Sequence, residues 1–228
     1  MTEYRLKTPM SEEDVRKLHV GDKVFFTGKL FSPGLTQLGG QSQRIAEAYR
    51  TGQGDSLPFD MRGCALISGH GKYVKEENRW PFWGFSTASR LNPELPHLIE
   101  HAGIRAVMGK GCVGIAYMAG MSDTGKELLD LMAKHGCVAM TGVGGAAITY
   151  GKFFHGELKA YWKEQGPGGE VHENYAENLG PLNVIMDTHG RSLAIEQKQQ
   201  MKKAISGIYD RMEIDEYTRK IYPDPFTD

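Results

Sequence analysis

Thr124-Gly125-Lys126-Glu127-Leu128-Leu129-Asp130-Leu131-Met132-Ala133-Lys134-His135-Gly136-Cys137-Val138-Ala139-Met140-Thr141-Gly142-Val143-Gly144-Gly145-Ala146-Ala147 contains a helix, a strand and a turn in close succession. Thr124 and Glu127 have capping-box spacing, and Leu128, Leu129, Leu131 and Met132 share one face before Gly136 ends the helix. Cys137–Thr141 is short and apolar, as a buried strand is, and Gly142–Ala147 is a tight turn opening a small-residue helix. A helix that feeds a buried strand and a glycine turn is the repeating unit of an α/β fold.

The same alternation extends in both directions. Upstream, Ser11 with Asp14 three residues on predicts a short helix toward Leu18, stopped before Gly21. Lys23–Phe31 reads as a strand, Ser42–Tyr49 as a helix, and Cys64–Ser68 as a buried strand ended by Gly69-His70-Gly71. Asn92-Pro93 caps a helix running to Gly103, and Arg105–Met108 follows as a strand. Downstream, Glu157–Trp162 and Asn183–Asp187 read as strands separated by the Gly- and Pro-rich Gln165–Gly169. An amphipathic helix spans Ile195–Met212, and Glu213–Asp228 is a polar tail with two prolines.

With 228 residues, 40% hydrophobic, the chain can bury one core. Its net charge of −1, with both signs interleaved, argues against nucleic acid as a partner. No stretch is long and apolar enough for a bilayer, and Met1-Thr2-Glu3-Tyr4-Arg5 does not begin a signal peptide, so a soluble cytoplasmic protein is expected. Cys64, Cys112 and Cys137 are odd in number and irregularly spaced, matching neither a disulfide framework nor a zinc or ferredoxin pattern.

Three segments could carry chemistry. Gly142-Val143-Gly144-Gly145 misses the spacing of a dinucleotide fingerprint, and close helix packing is the better account. Gly109-Lys110-Gly111 follows a strand end, where α/β sheets place ligand groups; it reads as an anion-reaching lysine or as an exposed turn. Gly84-Phe85-Ser86-Thr87-Ala88-Ser89-Arg90 sets three hydroxyls and a guanidinium within five positions, which suits a carboxylate and equally a capping turn. The aromatics Trp80, Phe82, Trp83 and Phe85 either enclose a ligand's apolar end or pack in a core or interface.

Taken in order, these segments carry a resemblance. Thr8-Pro9, Val20-Gly21-Asp22, Thr27-Gly28, Leu57-Pro58-Phe59-Asp60, Gly84–Arg90, Gly109-Lys110-Gly111, Gly144–Ala147 and Gly180–Gly190 are similar to the β subunit of class I fumarases and L-tartrate dehydratases. The resemblance covers roughly residues 8 to 193. It implies an α/β fold, a single domain of the swivelling β/β/α type over residues 1–212, with 213–228 as a tail outside it. It also implies a hydro-lyase that hydrates or dehydrates a small hydroxy acid. A partner α subunit would hold a four-iron, four-sulfur cluster that this chain does not bind, in a hetero-oligomer containing a homodimer of this chain. Arg90 matches the family's carboxylate-binding arginine, with Thr87 beside the substrate. Ser86 stands where a threonine is the proposed base, and Lys110 matches the active-site lysine. Two departures stand out: Phe85 replaces a proline, and Phe31–Gly39 lacks the family's Arg-Asp-x-x-His element. Without that second guanidinium a less acidic or bulkier hydroxy acid is expected. The alternative is a non-catalytic carboxylate-binding or assembly module that retains the fold.

Overall fold

The computed structural model describes residues 1–33, 41–86, 88–91, 95–111, 125–165 and 170–221. In chain order the elements are β1 (Glu3–Lys7), α1 (Glu12–Arg16), β2 (Lys23–Pro33), α2 (Gln41–Arg50), β3 (Ala65–Ile67), β4 (Gly69–Val74) and β5 (Arg79–Phe85). A 3-10 turn over Ala88–Leu91 follows, then α3 (Leu95–Glu100), β6 (Ala106–Gly109), α4 (Gly125–His135), β7 (Val138–Thr141) and α5 (Ala147–Gly151). The chain continues through β8 (Phe154–Tyr161), β9 (Val171–Met186), α6 (Leu193–Arg211) and α7 (Glu216–Ile221). The expected α/β class is the observed one. The expected caps at Asn92-Pro93 and Thr124 lie outside the described residues, as do Cys112, the 34–40 part of the departing segment, most of Gln165–Gly169 and the last residues of the tail.

β1, β2, β3, β6 and β7 pair in parallel, and β9 runs antiparallel to both β7 and β2. That double pairing closes β2-β3-β6-β7-β9 into a ring, with β1 and β8 added outside it and β4–β5 as a separate hairpin. Side chains alternate across such strands. Phe31, Leu66, Val107, Ala139 and Ile185 share one cluster with Ile45 of α2, Leu95 and Leu98 of α3, and Leu128, Leu129 and Met132 of α4. Val24, Phe26, Leu30, Ala65, Ile67, Ala106, Met108, Val138, Met140, Leu182 and Val184 form a second cluster on the other face. Burial on both faces explains why Cys64–Ile67 and Cys137–Met140 read as unbroken apolar runs.

Several elements differ from the sequence expectation. The strand expected over Cys64–Ser68 does stop before Gly69, as β3, but Gly69 and Gly71 start a new strand, β4, and make room for the Trp83 ring, which an added Cβ would approach to 2.4 and 2.5 Å. β8 runs over 154–161 rather than 157–162, because Trp162 turns to a φ of 59°. Asn183–Met186 is only the end of β9. Pro181 lies inside β9, at an irregularity in the β2–β9 ladder, where no strand hydrogen bond is demanded of it. The polar tail contains the short helix α7.

Beyond β9, Asp187 is fully buried, and its carboxylate accepts the N–H groups of Val20 at 2.9 Å, His189 at 3.0 Å and Arg191 at 3.1 Å. The His189 ring stacks on His19 with centroids 4.2 Å apart. The turn after β9 is thereby tied to the loop between α1 and β2, which holds the two ends of the fold together.

Asp187→Ala strips acceptors from three N–H groups in this buried turn, so stability is expected to fall by about 3 kcal/mol. Asp187→Asn keeps one acceptor oxygen and is expected to lose less. Urea unfolding of both variants checks the order, and an alanine variant within ~0.5 kcal/mol of the parent would contradict it.

Candidate active site

β3, β6 and β7 finish along one edge of the ring, the edge where parallel sheets carry ligand groups. Leaving β5, the chain crosses that edge. Ser86 donates its N–H to the Ser68 carbonyl at 2.8 Å, and its own carbonyl accepts the Lys110 N–H at 2.9 Å. Ala88 then donates to the Lys110 carbonyl at 3.3 Å, while Ser68 donates to Met108 of β6 at 2.7 Å. Ser86 is therefore strapped between the ends of β3 and β6, with Lys110 as its hydrogen-bonded neighbour.

Glycines permit this approach. A Cβ on Gly109 would lie 2.6 Å from the Ala88 Cβ and 3.0 Å from the Ser86 carbonyl oxygen. On the far side, Gly142 donates to the Gly109 carbonyl at 3.1 Å. A Cβ on Gly144 would stand 2.8 Å from the Lys110 Cδ, so the lysine stem lies against the turn after β7. The glycine turn thus serves close packing, and the helix beyond it, α5, has only five residues. Tyr150 of α5 holds the turn in place: its hydroxyl accepts the Val143 N–H at 2.8 Å, and its buried ring meets Phe85 edge-on at 4.7 Å.

The sequence candidates fall out as follows. Ser86 is half-buried and Lys110 exposed, and the two are brought together. Arg90 has its backbone in the 3-10 turn over Ala88–Leu91, the next element after Ser86. Thr87 lies outside the described residues. The aromatics resolve toward packing: Trp80, Trp83 and Phe85 are buried in the second core cluster, and Trp83 stacks on Phe154 at 4.4 Å. They are core residues, joined to Ser86 through Phe85, its neighbour in the chain. Cavities of about 430 and 400 Å³ are lined by other residues, among them Arg44 and Trp162 in one and Thr8 and Tyr175 in the other. Two contributors escaped the sequence reading. Ser68 looked like the last residue of a strand, and Tyr150 like a filler in a small-residue helix; a buried tyrosine's need for a hydroxyl partner was its one signal.

Among the described residues no group of three His, Cys, Asp or Glu side chains is placed to hold an ion. Burial pushes the Cys64 thiol up to about 11 and the Cys137 thiol up to about 12, which disfavours the thiolate needed for ligation. These residues do not fit an iron–sulfur cluster.

Comparison with known proteins bears on the family. A family model described as fumarase C-terminus matches residues 1–197. The putative L(+)-tartrate dehydratase subunit beta of Methanocaldococcus jannaschii is 29% identical over 86% of this chain and 94% of its own length. The L(+)-tartrate dehydratase subunit beta of Escherichia coli is 26% identical over 85% and 88%. A putative fumarate hydratase class I from Geobacillus stearothermophilus is 27% identical over 88% of this chain but 36% of its own, longer sequence.

The glycine contacts generate a paired prediction. Gly109→Ala pushes on backbone and on a buried side chain, so it is expected to destabilise the chain by about 2 kcal/mol and displace the Ser86 strap. Gly144→Ala meets the movable stem of Lys110 and is expected to change stability by less than about 1 kcal/mol. Thermal unfolding, with amide exchange of Lys110 and Ala88 as a local probe, tests the contrast; equal effects at the two positions would refute it.

Proposed function

The chain belongs to the fumarase C-terminus family, and from that membership we propose that it is the β subunit of a hydro-lyase that adds water to, or removes it from, a small hydroxy acid. The observation that carries this reading is the hydrogen-bonded pairing of Ser86 with Lys110 at the carboxyl edge of parallel strands. The main chain brings together a residue that can supply a proton-transfer hydroxyl and one that can supply a cation, which supports this reading.

In this reading Arg90 offers its guanidinium fork to the substrate carboxylate, and the Thr87 hydroxyl adds a donor beside it. Ser86 takes the proton from the carbon next to the carboxylate during dehydration and returns it during hydration. A hydroxyl is ordinarily far too weak an acid for this role, and the Lys110 ammonium favours its deprotonated form and the negative charge that develops on the substrate. Departure of the substrate hydroxyl belongs to the cluster-bearing α subunit that the resemblance implies. The chain would thus work in the cytoplasm as part of a hetero-oligomer, with residues 1–212 as the domain and 213–228 as an appended tail. No helix among the described residues is long and apolar enough to cross a membrane. Because the 31–39 segment contains no arginine, the favoured substrate is less acidic or bulkier at its far end than fumarate or tartrate.

The test is steady-state kinetics of the complex reconstituted anaerobically with the α subunit, on the hydroxy acid that a screen returns. Ser86→Ala is expected to lower kcat by roughly 100-fold or more with little change in KM. Arg90→Lys keeps the charge but loses the fork, and KM is expected to rise about tenfold or more. Lys110→Met removes the cation that lowers the hydroxyl's pKa, so the rate should fall and its rise with pH should move to higher pH. Full turnover by Ser86→Ala together with an unchanged KM for Arg90→Lys would overturn the assignment in favour of a carboxylate-binding or assembly module.

A further inference from the structure

The main chain of Lys110 is fixed by the strap, but its ammonium is not: among the described residues it makes no hydrogen bond or ion pair. Where that charge stands is therefore decided by what the side-chain stem rests on. A Cβ added at Gly144 would come to 2.8 Å from the Lys110 Cδ and 3.4 Å from its Cβ, so the stem lies along the turn after β7. That turn has little to hold it. Val143, Gly144 and Gly145 are all exposed, Gly145 has a φ of 84°, and two successive glycines leave the backbone wide conformational freedom. Among the described residues, 143–145 make one hydrogen bond, from the Val143 N–H to the Tyr150 hydroxyl at 2.8 Å.

Tyr150 is well placed to carry that restraint. Its side chain is buried, and its ring meets Phe85, the residue before Ser86, at 4.7 Å with 87° between the planes. A Cβ on Gly142 would come within 2.5 Å of the same Phe85 ring, so the turn begins where Phe85 packs. One phenol thus touches both halves of the candidate site: the ring packs on the neighbour of Ser86, and the hydroxyl holds the turn that backs Lys110. We propose that Tyr150 is a positioning residue, whose hydroxyl fixes the 143–145 turn and through Gly144 sets where the Lys110 ammonium stands relative to Ser86. This rests on the roles proposed for Ser86 and Lys110. Without the hydroxyl, the glycine turn is free to leave the stem, the lysine samples more of its rotamers, and the cation spends less time beside the group it assists.

The test uses the complex reconstituted with the α subunit. Tyr150→Phe keeps the buried ring and removes the hydroxyl, so kcat is expected to fall roughly five- to tenfold while KM, which reports the Arg90 contact, stays within about twofold. In a Lys110→Met background the same change should cost less than about twofold, because no cation is left to position. A merely structural role would cost the same in both backgrounds. Gly144→Ala, which pushes on the stem directly, should lower kcat in the same sense and add little to Tyr150→Phe. In the chain alone, hydrogen exchange of the Val143 amide should quicken about tenfold or more in Tyr150→Phe while that of the Lys110 amide is unchanged. Full turnover in Tyr150→Phe with turnover lost in Lys110→Met would overturn the positioning role alone, as would fully additive losses in the double variants. Full turnover in Lys110→Met would instead overturn the reading on which this role rests, and the role with it.

Discussion

β9 hydrogen-bonds to β2 on one side and to β7 on the other, and the order of the parallel strands between them depends on that double pairing. With it, β2, β3, β6 and β7 are paired on both flanks and buried on both faces, which fixes their register strongly. Their carboxyl ends then lie at one edge. Gly109, Thr141 and the residues just beyond β3 all finish there because the strands pair Met108 with Ile67 and Met140, and Gly109 with Thr141. The position of the candidate site follows from closure of the ring before any catalytic group is considered.

At that edge the backbone, more than the side chains, does the positioning. Ser86, Ala88 and Lys110 are linked by main-chain hydrogen bonds that could form with many side chains, provided that position 109 has none. Phe85, next to Ser86 in the chain, joins Trp83, Phe154 and Tyr150 in a group packed edge-on or stacked. Main-chain bonds of this kind fix where residues 86 and 110 stand relative to each other.

The α/β class, the helices and strands read at 11–18, 23–31, 42–49, 64–68, 105–108, 124–136 and 137–141, each within a few residues of the observed element, and the short list of chemical candidates were legible in the chain alone. These were legible because they rest on local signals: caps, apolar periodicity and glycine stops, with the order of short motifs adding the family. The tertiary structure decided what depends on residues far apart in the chain. It made Ser86 the neighbour of Ser68 and Lys110, extended β9 through Gly180-Pro181 by placing the proline at a ladder irregularity, and began a new strand at Gly69 and Gly71 with space for Trp83. It also moved Trp80, Trp83 and Phe85 from a possible ligand wall into the core. In each case the deciding contact joins segments whose own composition is neutral between two conformations, and only the partner strand or ring supplies the free energy that selects one.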